Sequence, residues 1–291
     1  MAQAVLAADT THPMVALMAR ETSVRRGAVP RSLGTIEPGE MQSTLQGDEF
    51  LFNAEQGIWF YYRRGEAVTL DCKADADPRD IDLWLNGTVY AAVATMNGLF
   101  PLHASAVAHQ GRVHAFTGPG GAGKSTLVAA LGRSGFAHFC DDTLLLDISG
   151  DGPPLCLPGH KRLKLWPEGV ALAGVEPGEL VADDYRKYFV EPMGGTIDEP
   201  LPLAGLYYLD QGEPPQVAPL AGGDQIERLQ DDHYTAELWR QAADQTRAAR
   251  FATLAALARR IAMRRFGRPF DPAQFPQGIA FIAAHIAGAT A

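Results

Sequence analysis

Gly118-Pro-Gly-Gly-Ala-Gly123-Lys124-Ser125 matches the pattern G-x-x-x-x-G-K-[ST] at every fixed position. An apolar run, Val113-His-Ala-Phe-Thr117, precedes it, and a helix is expected over Ser125 to Gly132 behind it. Strand, glycine-rich loop and helix in this order form a phosphate cradle. Glycines let the backbone turn its N–H groups inward as an anion nest. The helix N-terminus adds partial positive charge. Lys124 would reach the β- and γ-phosphates, and the Ser125 hydroxyl would help hold Mg²⁺. Gly118, Gly120, Gly121, Ala122, Gly123, Lys124, Ser125 and Thr126 are therefore the candidate nucleotide-binding residues. The expected ligand is a nucleoside triphosphate; the base is not specified by the motif.

The next segment is Phe136-Ala-His-Phe-Cys140-Asp141-Asp142, a short apolar strand ending in two carboxylates. The intervening helix is short, so this strand is expected to return beside the loop strand, with the aspartates facing the phosphates. Phosphoryl transfer needs a carboxylate for Mg²⁺ and often another to accept the proton of the attacking hydroxyl. Asp141 and Asp142 could supply both. His103 lies on the preceding strand, in Leu102-His-Ala-Ser-Ala-Val107. A lone strand histidine is more often structural than catalytic. The other seven histidines show no metal-ligand spacing.

Composition limits the function classes. The 291 residues carry 25 basic and 34 acidic side chains, a net charge of −9. That balance argues against a general nucleic-acid binder, because such binding rests on cationic contacts to phosphates. Three cysteines, Cys72, Cys140 and Cys156, form neither a disulfide framework nor a zinc pattern. No run is long and apolar enough to span a bilayer. Met1 to Ala8 makes a poor export signal, with no basic leader and an immediate Asp9. A cytoplasmic protein with reduced thiols is expected, with neither nucleic acid nor membrane as partner.

The chain reads as an α/β protein in two parts. Residues 1–98 form a small N-terminal α+β module: a short helix near Met14–Arg20, a loop from Gly27 to Gly39, then an antiparallel sheet. Its strands are expected at Phe50–Phe52, Ile58–Tyr62 and Val68–Leu70, divided by Gln56-Gly57 and Arg64-Gly65-Glu66 turns. A helix from Pro78 to Met96 follows, with Asn97-Gly98 ending it. Residues 99–291 form the second part. Strands are expected at Leu99–Ala108, Val113–Thr117, Arg162–Leu165, Tyr185–Val190 and Leu203–Leu209. Helices close the chain, over Ala242 to Phe266 and about Gln274 to Ala287.

Taken together, Pro101-Leu-His103-Ala-Ser-Ala, Gly118 to Ser125 and Cys140-Asp141-Asp142 resemble the catalytic domain of the HPr serine kinase/phosphorylase family. The likeness is specific from about Leu99 to Asp147. It implies a P-loop core related to the phosphoenolpyruvate carboxykinases, and ATP and Mg²⁺ as cofactors. It further implies phosphate transfer to a serine hydroxyl on a peptide or small protein. Carried over by position, Asp141 becomes the base toward the acceptor, Asp142 a partner at the metal, and His103 a neighbour of the pair. Lys124 and Ser125 keep their roles at the phosphates and the metal. The arrangement is also similar to smaller HPr-kinase-like proteins of lasso-peptide biosynthetic clusters, which phosphorylate a ribosomally made precursor. The second HPr kinase signature, which supplies a glutamate near Mg²⁺, has no match; Glu191 and Glu199 flank Met193-Gly-Gly195 without reproducing it. The reverse reaction and HPr itself as substrate are not expected. A homo-oligomer is left open. A regulatory ATPase module and a small-molecule kinase are the alternative readings.

Two basic features remain. Lys161, Arg162, Lys164, Arg186 and Lys187 could each neutralise a transferring phosphoryl group, and the sequence does not choose among them. Arg247 to Arg268 holds seven arginines and no acidic residue. Phe251, Leu254, Leu257, Ala258 and Ile261 fall at helical spacing there, so one basic amphipathic helix is expected. It would pack on acidic parts of the chain or dock an acidic peptide.

Overall fold

The structure is a computed structural model that describes residues 12–182, 185–241 and 246–288. Met1 to Ala8 and the first residues of the expected Ala242–Phe266 helix lie outside them. The chain divides into two compact units: Met1–Pro101 with Tyr234–Thr253, and Leu102–His233 with Leu254–Ala291.

The first unit opens with helix α1 (Pro13–Glu21) and strand β1 (Val24–Arg26). β2 (Gln42–Gln46), β3 (Glu49–Asn53), β4 (Trp59–Arg63) and β5 (Val68–Asp71) complete a five-stranded sheet in the order β1-β5-β4-β3-β2. Gln56 and Gly57 take left-handed φ values of 58° and 77°, which reverses the chain between β3 and β4. Phe50, Phe52, Phe60 and Tyr62 are buried from alternate positions of β3 and β4. Helices α2 (Pro78–Trp84) and α3 (Tyr90–Met96) span the single helix expected from sequence, joined by a π-helical turn, Leu85–Val89. Trp84 packs edge-on against Phe52 at 5.5 Å. The buried Glu21 carboxylate accepts from the Tyr62 hydroxyl (2.5 Å), the Asn97 amide (3.0 Å) and the Gly65 N–H (3.2 Å). Those bonds outweigh burial and hold its pKa below the usual carboxylate range.

In the second unit, β7 (Ser105–His109) and β8 (Arg112–Thr117) form a hairpin across Gln110 and Gly111, both at positive φ. The expected Leu99–Ala108 strand is broken: β6 (Phe100–Leu102) stops before His103 and β7 resumes at Ser105. Helix α4 (Lys124–Arg133) leads into β9 (Ala137–Cys140), β10 (Leu144–Asp147) and β11 (Leu155–Leu157). β12 (Leu163–Leu165), β13 (Leu180–Ala182) and β14 (Tyr185–Val190) make a separate antiparallel sheet, with helix α5 (Pro167–Ala173) between β12 and β13. The long β15 (Leu201–Gln211) lies parallel to β8, and the main sheet runs β10-β11-β15-β8-β7-β9.

Two expectations are corrected here. β9 does not lie beside the loop strand; it pairs antiparallel with β7. The tight β7–β8 hairpin already fills one edge of β8, and β15 fills the other. The arginine-rich run is not one helix. Helix α6 (Gly223–Asp231) and helix α7 (Ala236–Gln241) precede α8 (Arg247–Arg260), and Met263–Arg268 is strand β17. β17 runs parallel to β15 and antiparallel to β16 (Gln216–Pro219). Burial of Met263, Phe266 and Arg268 within the sheet overrides the helical spacing of the apolar residues. Helix α9 (Phe275–Gly288) then returns over α4.

β8 is buried on both faces, as a central strand with parallel pairing on one side requires. Leu127, Val128 and Leu131 of α4 pack with Phe116, Leu165, Tyr207, Phe266, Ile282 and Ile286 into one core. Among the described residues no helix is long and apolar enough to cross a membrane. The three cysteines are unpaired, and Cys140 and Cys156 are buried.

Burial has a consequence for stability. His114, His138 and His160 are desolvated, which lowers each pKa to about 4. The folded chain keeps them neutral where the unfolded chain, at about 6.5, charges them. The unfolded state thus binds more protons between about pH 6.5 and 4, and stability falls as pH drops through that window. Asp232 acts oppositely. Burial raises its pKa to about 6, so it takes a proton first in the folded chain and offsets one histidine. Two net protons give a slope of about 2–3 kcal/mol per pH unit near pH 5. Denaturant midpoints should fall steeply between pH 6.5 and 4.5; a flat profile would contradict the buried neutral histidines.

Candidate active site

All the site residues expected from sequence lie in the second unit, around the junction of β8 and α4. Thr117 ends β8, and Gly118 (φ 140°), Gly121 (φ 81°) and Gly123 (φ 85°) take positive φ. Gly118 has a second constraint: a Cβ there would sit 3.1 Å from the Leu209 carbonyl oxygen of β15. Gly123 caps α4 without any side-chain acceptor, so the first-turn N–H groups are left for a ligand. Lys124 is 7% exposed. Its Nζ folds back over the loop, donating to the carbonyl oxygens of Gly118 (2.9 Å) and Pro119 (3.4 Å). Burial pulls its pKa down, while Asp232, Asp142 and Asp141, in that order, push it back up. The Thr126 side chain turns from the loop toward α5: a Cβ on Gly169 would stand 2.7 Å from its hydroxyl.

The aspartate pair occupies the turn after β9. Asp141 is 4% exposed and fully engaged. Its Oδ1 accepts from the Ser105 hydroxyl (2.6 Å) and its Oδ2 from the Lys164 backbone N–H (3.0 Å). It fastens β7 and β12 to the turn. Asp142 adopts a left-handed φ of 69°, which swings its carboxylate to a different side. That side chain is 26% exposed and pairs with Lys164 Nζ at 2.8 Å and His103 Nδ1 at 3.4 Å. His103 Nδ1 also lies 3.1 Å from the Asp142 carbonyl oxygen. Burial works against the charge on Asp142, but Lys164, His103 and Lys187 outweigh it and its pKa is lowered. Burial and Lys124 lower the pKa of His103, against the opposing pull of Asp142 and Asp141. The break between β6 and β7 is what frees His103 to reach this turn.

The basic residues now separate. Lys164 is on Asp142, and Lys187 acts on both Lys124 and Asp142. Lys161 instead bonds the carbonyl oxygens of Phe139 and Ile197, and Arg162 stacks on Phe189 at 3.9 Å. Arg186 alternates to the face of β14 opposite Lys187 and is exposed.

Two further residues complete the site, and neither was singled out from sequence. Arg268 of β17 is 6% exposed, and its Nη2 donates to the Ala122 carbonyl oxygen at 2.9 Å. A Cβ on Gly123 would lie 2.8 Å from that same Nη2. Arg268 therefore braces the loop from beneath. Replacing Arg268 with Lys should weaken ATP binding about tenfold, because a lysine has no planar fork to hold the loop from that depth. Isothermal titration would check it, and unchanged affinity in a folded variant would contradict the brace. Asp232, at the end of α6, is the other. Its carboxylate hydrogen-bonds Thr117, its Oδ2 has no partner, and its backbone oxygen accepts from the His103 N–H at 2.7 Å.

Comparison with known proteins adds little to this geometry. No family model and no curated protein sequence matches the chain. Among solved structures, the HPr(Ser) kinase/phosphatase from Coxiella burnetii is similar over 65% of this chain and 93% of that one. The identity is 10% and the TM-score 0.34. A likeness that remote leaves the functional reading to the site itself.

The residues present fit a triphosphate and Mg²⁺. The loop offers a nest of N–H groups beside a buried cation, and Asp232 has a buried oxygen without a hydrogen-bond partner. Among the described residues, no three His, Cys, Asp or Glu groups converge to cage a metal. Mg²⁺ usually takes one or two carboxylates and completes its shell with phosphates and water.

Proposed function

We propose that this protein is an ATP- and Mg²⁺-dependent kinase that transfers the γ-phosphate to a serine hydroxyl of a peptide or small protein. The observation that carries the reading is the junction of two features in one unit: a glycine loop with buried Lys124, and a carboxylate, Asp142, held ionised beside it by Lys164 and His103. Transfer to a hydroxyl uses both features, the loop for the phosphates and the carboxylate for the attacking proton.

Lys124 and the N–H groups from Gly120 to Thr126 would bind and orient the triphosphate. Ser125 and a neighbouring carboxylate would hold Mg²⁺, which when bound neutralises charge building on the phosphate oxygens. Asp142 is the accessible member of the pair and would accept the proton of the attacking hydroxyl. Asp141, the base that the family resemblance implied, has both oxygens committed to Ser105 and Lys164. Lys164 and Lys187 would offset charge on the transferring group.

A serine-containing precursor of the lasso-peptide type is the acceptor we favour, on the resemblance of the His103, loop and Asp-Asp segments. Incubation of candidate precursors with labelled ATP and Mg²⁺, read by mass spectrometry, should yield a phosphoserine peptide. ATP consumed to free phosphate with no acceptor would favour a regulatory ATPase. Label appearing only on a metabolite would favour a small-molecule kinase.

A further inference from the structure

We propose that Asp232 is a metal-side carboxylate of the phosphate site, holding a divalent cation beside the phosphates together with Ser125. The inference rests on the nucleotide-binding reading above and assigns a residue that no motif marks.

Three observations carry it. First, Asp232 is 8% exposed, yet its Oδ2 has no hydrogen-bond partner. A buried carboxylate oxygen without a donor is costly, and the usual remedies are a donor or a cation. Second, it lies against the residue that leads into the phosphate loop. Thr117, the residue before Gly118, hydrogen-bonds the carboxylate, and Asp232 acts on Lys124 more strongly than Asp142 or Asp141 does. Thr117 has one hydroxyl proton and two acceptors to serve, because its Oγ1 also lies 3.2 Å from the His103 carbonyl oxygen. Third, the backbone fixes the position. The His103 N–H donates to the Asp232 backbone carbonyl oxygen, and Leu102 bridges His233 antiparallel. The segment that sets His103 therefore sets Asp232 as well.

Lys124 is the competing explanation. If Asp232 were only its counter-ion, removing the carboxylate would change ATP binding equally with and without metal. If Asp232 holds the cation, the two conditions separate. The bare carboxylate repels the phosphates, so its loss leaves metal-free binding intact or tighter.

The test is isothermal titration of ATP into the full-length wild type and Asp232→Asn, each in Mg²⁺ and in EDTA. Mn²⁺ electron paramagnetic resonance gives an independent count of bound cation in the presence of ATP. Asparagine keeps the shape of the carboxyl group; Asp232→Ser serves if the first variant does not fold. We expect Mg²⁺ to tighten ATP binding to the wild type and the variant to lose at least tenfold of that tightening. Its affinity in EDTA should be no weaker than wild type, and its Mn²⁺ should be largely free. An unchanged Mg²⁺ effect, or equal weakening in both conditions, overturns the proposal while leaving the loop reading intact. A wild type that binds ATP in neither condition overturns the loop reading and this proposal with it.

Discussion

Asp142→Asn should lower the rate of phosphoryl transfer by about 10²–10⁴-fold, the span that a positioned general base contributes. ATP affinity should move by only a few-fold, because the loop and Lys124 are untouched. The expectation follows from the turn after β9. Its left-handed φ of 69° sends Asp142 away from Asp141 and toward His103 and Lys164. Asparagine can occupy the same conformation, since it tolerates left-handed backbone better than most residues. What disappears is the proton acceptor. Asp141→Asn should behave differently. It would unfasten Ser105 or the Lys164 N–H, so both melting temperature and activity should fall. Single-turnover rates beside equilibrium ATP binding separate the two cases. A folded Asp142→Asn protein with wild-type turnover would remove Asp142 from the reaction.

Lys124→Met should abolish measurable ATP binding, a loss of about 10²-fold or more, and lower the melting temperature of the ligand-free protein. Lys124 is buried, its charge is penalised by desolvation, its Nζ donates to the Gly118 and Pro119 carbonyl oxygens, and Asp232, Asp142 and Asp141 favour its charge. Removing one member of such a buried charge cluster leaves Asp232, Asp142 and Asp141 without their shared cation, so the ligand-free variant should also melt lower. With the triphosphate bound, the same ammonium becomes the main fixed charge on the phosphates. Thermal melts report both halves. Wild type at an ATP concentration of 100 times Kd should gain about 2.7 kcal/mol, and the variant nothing. A variant that kept the ATP-induced shift would show that the nucleotide binds elsewhere.

The loop and the aspartate pair of this site are legible in the sequence. The loop and the Asp-Asp turn are local patterns in which spacing and chemistry coincide, and the structure brings both together with His103. The N-terminal sheet was legible for a related reason. Gln56-Gly57 and the Arg64-Gly65 turn punctuate alternating aromatic runs, and alternation is the signature of a half-buried strand. Pairings distant in sequence were hidden. β15 lies beside β8 across a gap that no periodicity records, so its place between the loop strand and β17 could not be read. Arg268 was lost in an arginine run whose apolar residues fit a helix, although its last six residues are a strand. Asp232 follows another aspartate at the end of a polar helix, where solvated surface is the ordinary reading. Only the bond from His103 and the nearness of Lys124 distinguish it. Lys164 and Lys161 are three residues apart, and only the fold shows that one faces Asp142 and the other faces carbonyl oxygens.

The most direct test is the fate of the γ-phosphate in a single turnover. The protein, in excess over γ-labelled ATP, is mixed with Mg²⁺ and a serine-bearing precursor peptide, then quenched and resolved into peptide, nucleotide and free phosphate. The account predicts that label passes to a peptide serine as acid-stable phosphate at least as fast as inorganic phosphate forms. It also predicts that Asp142→Asn removes this transfer while still binding ATP. Label released only as inorganic phosphate across the precursor panel, at a rate indifferent to Asp142, would contradict it.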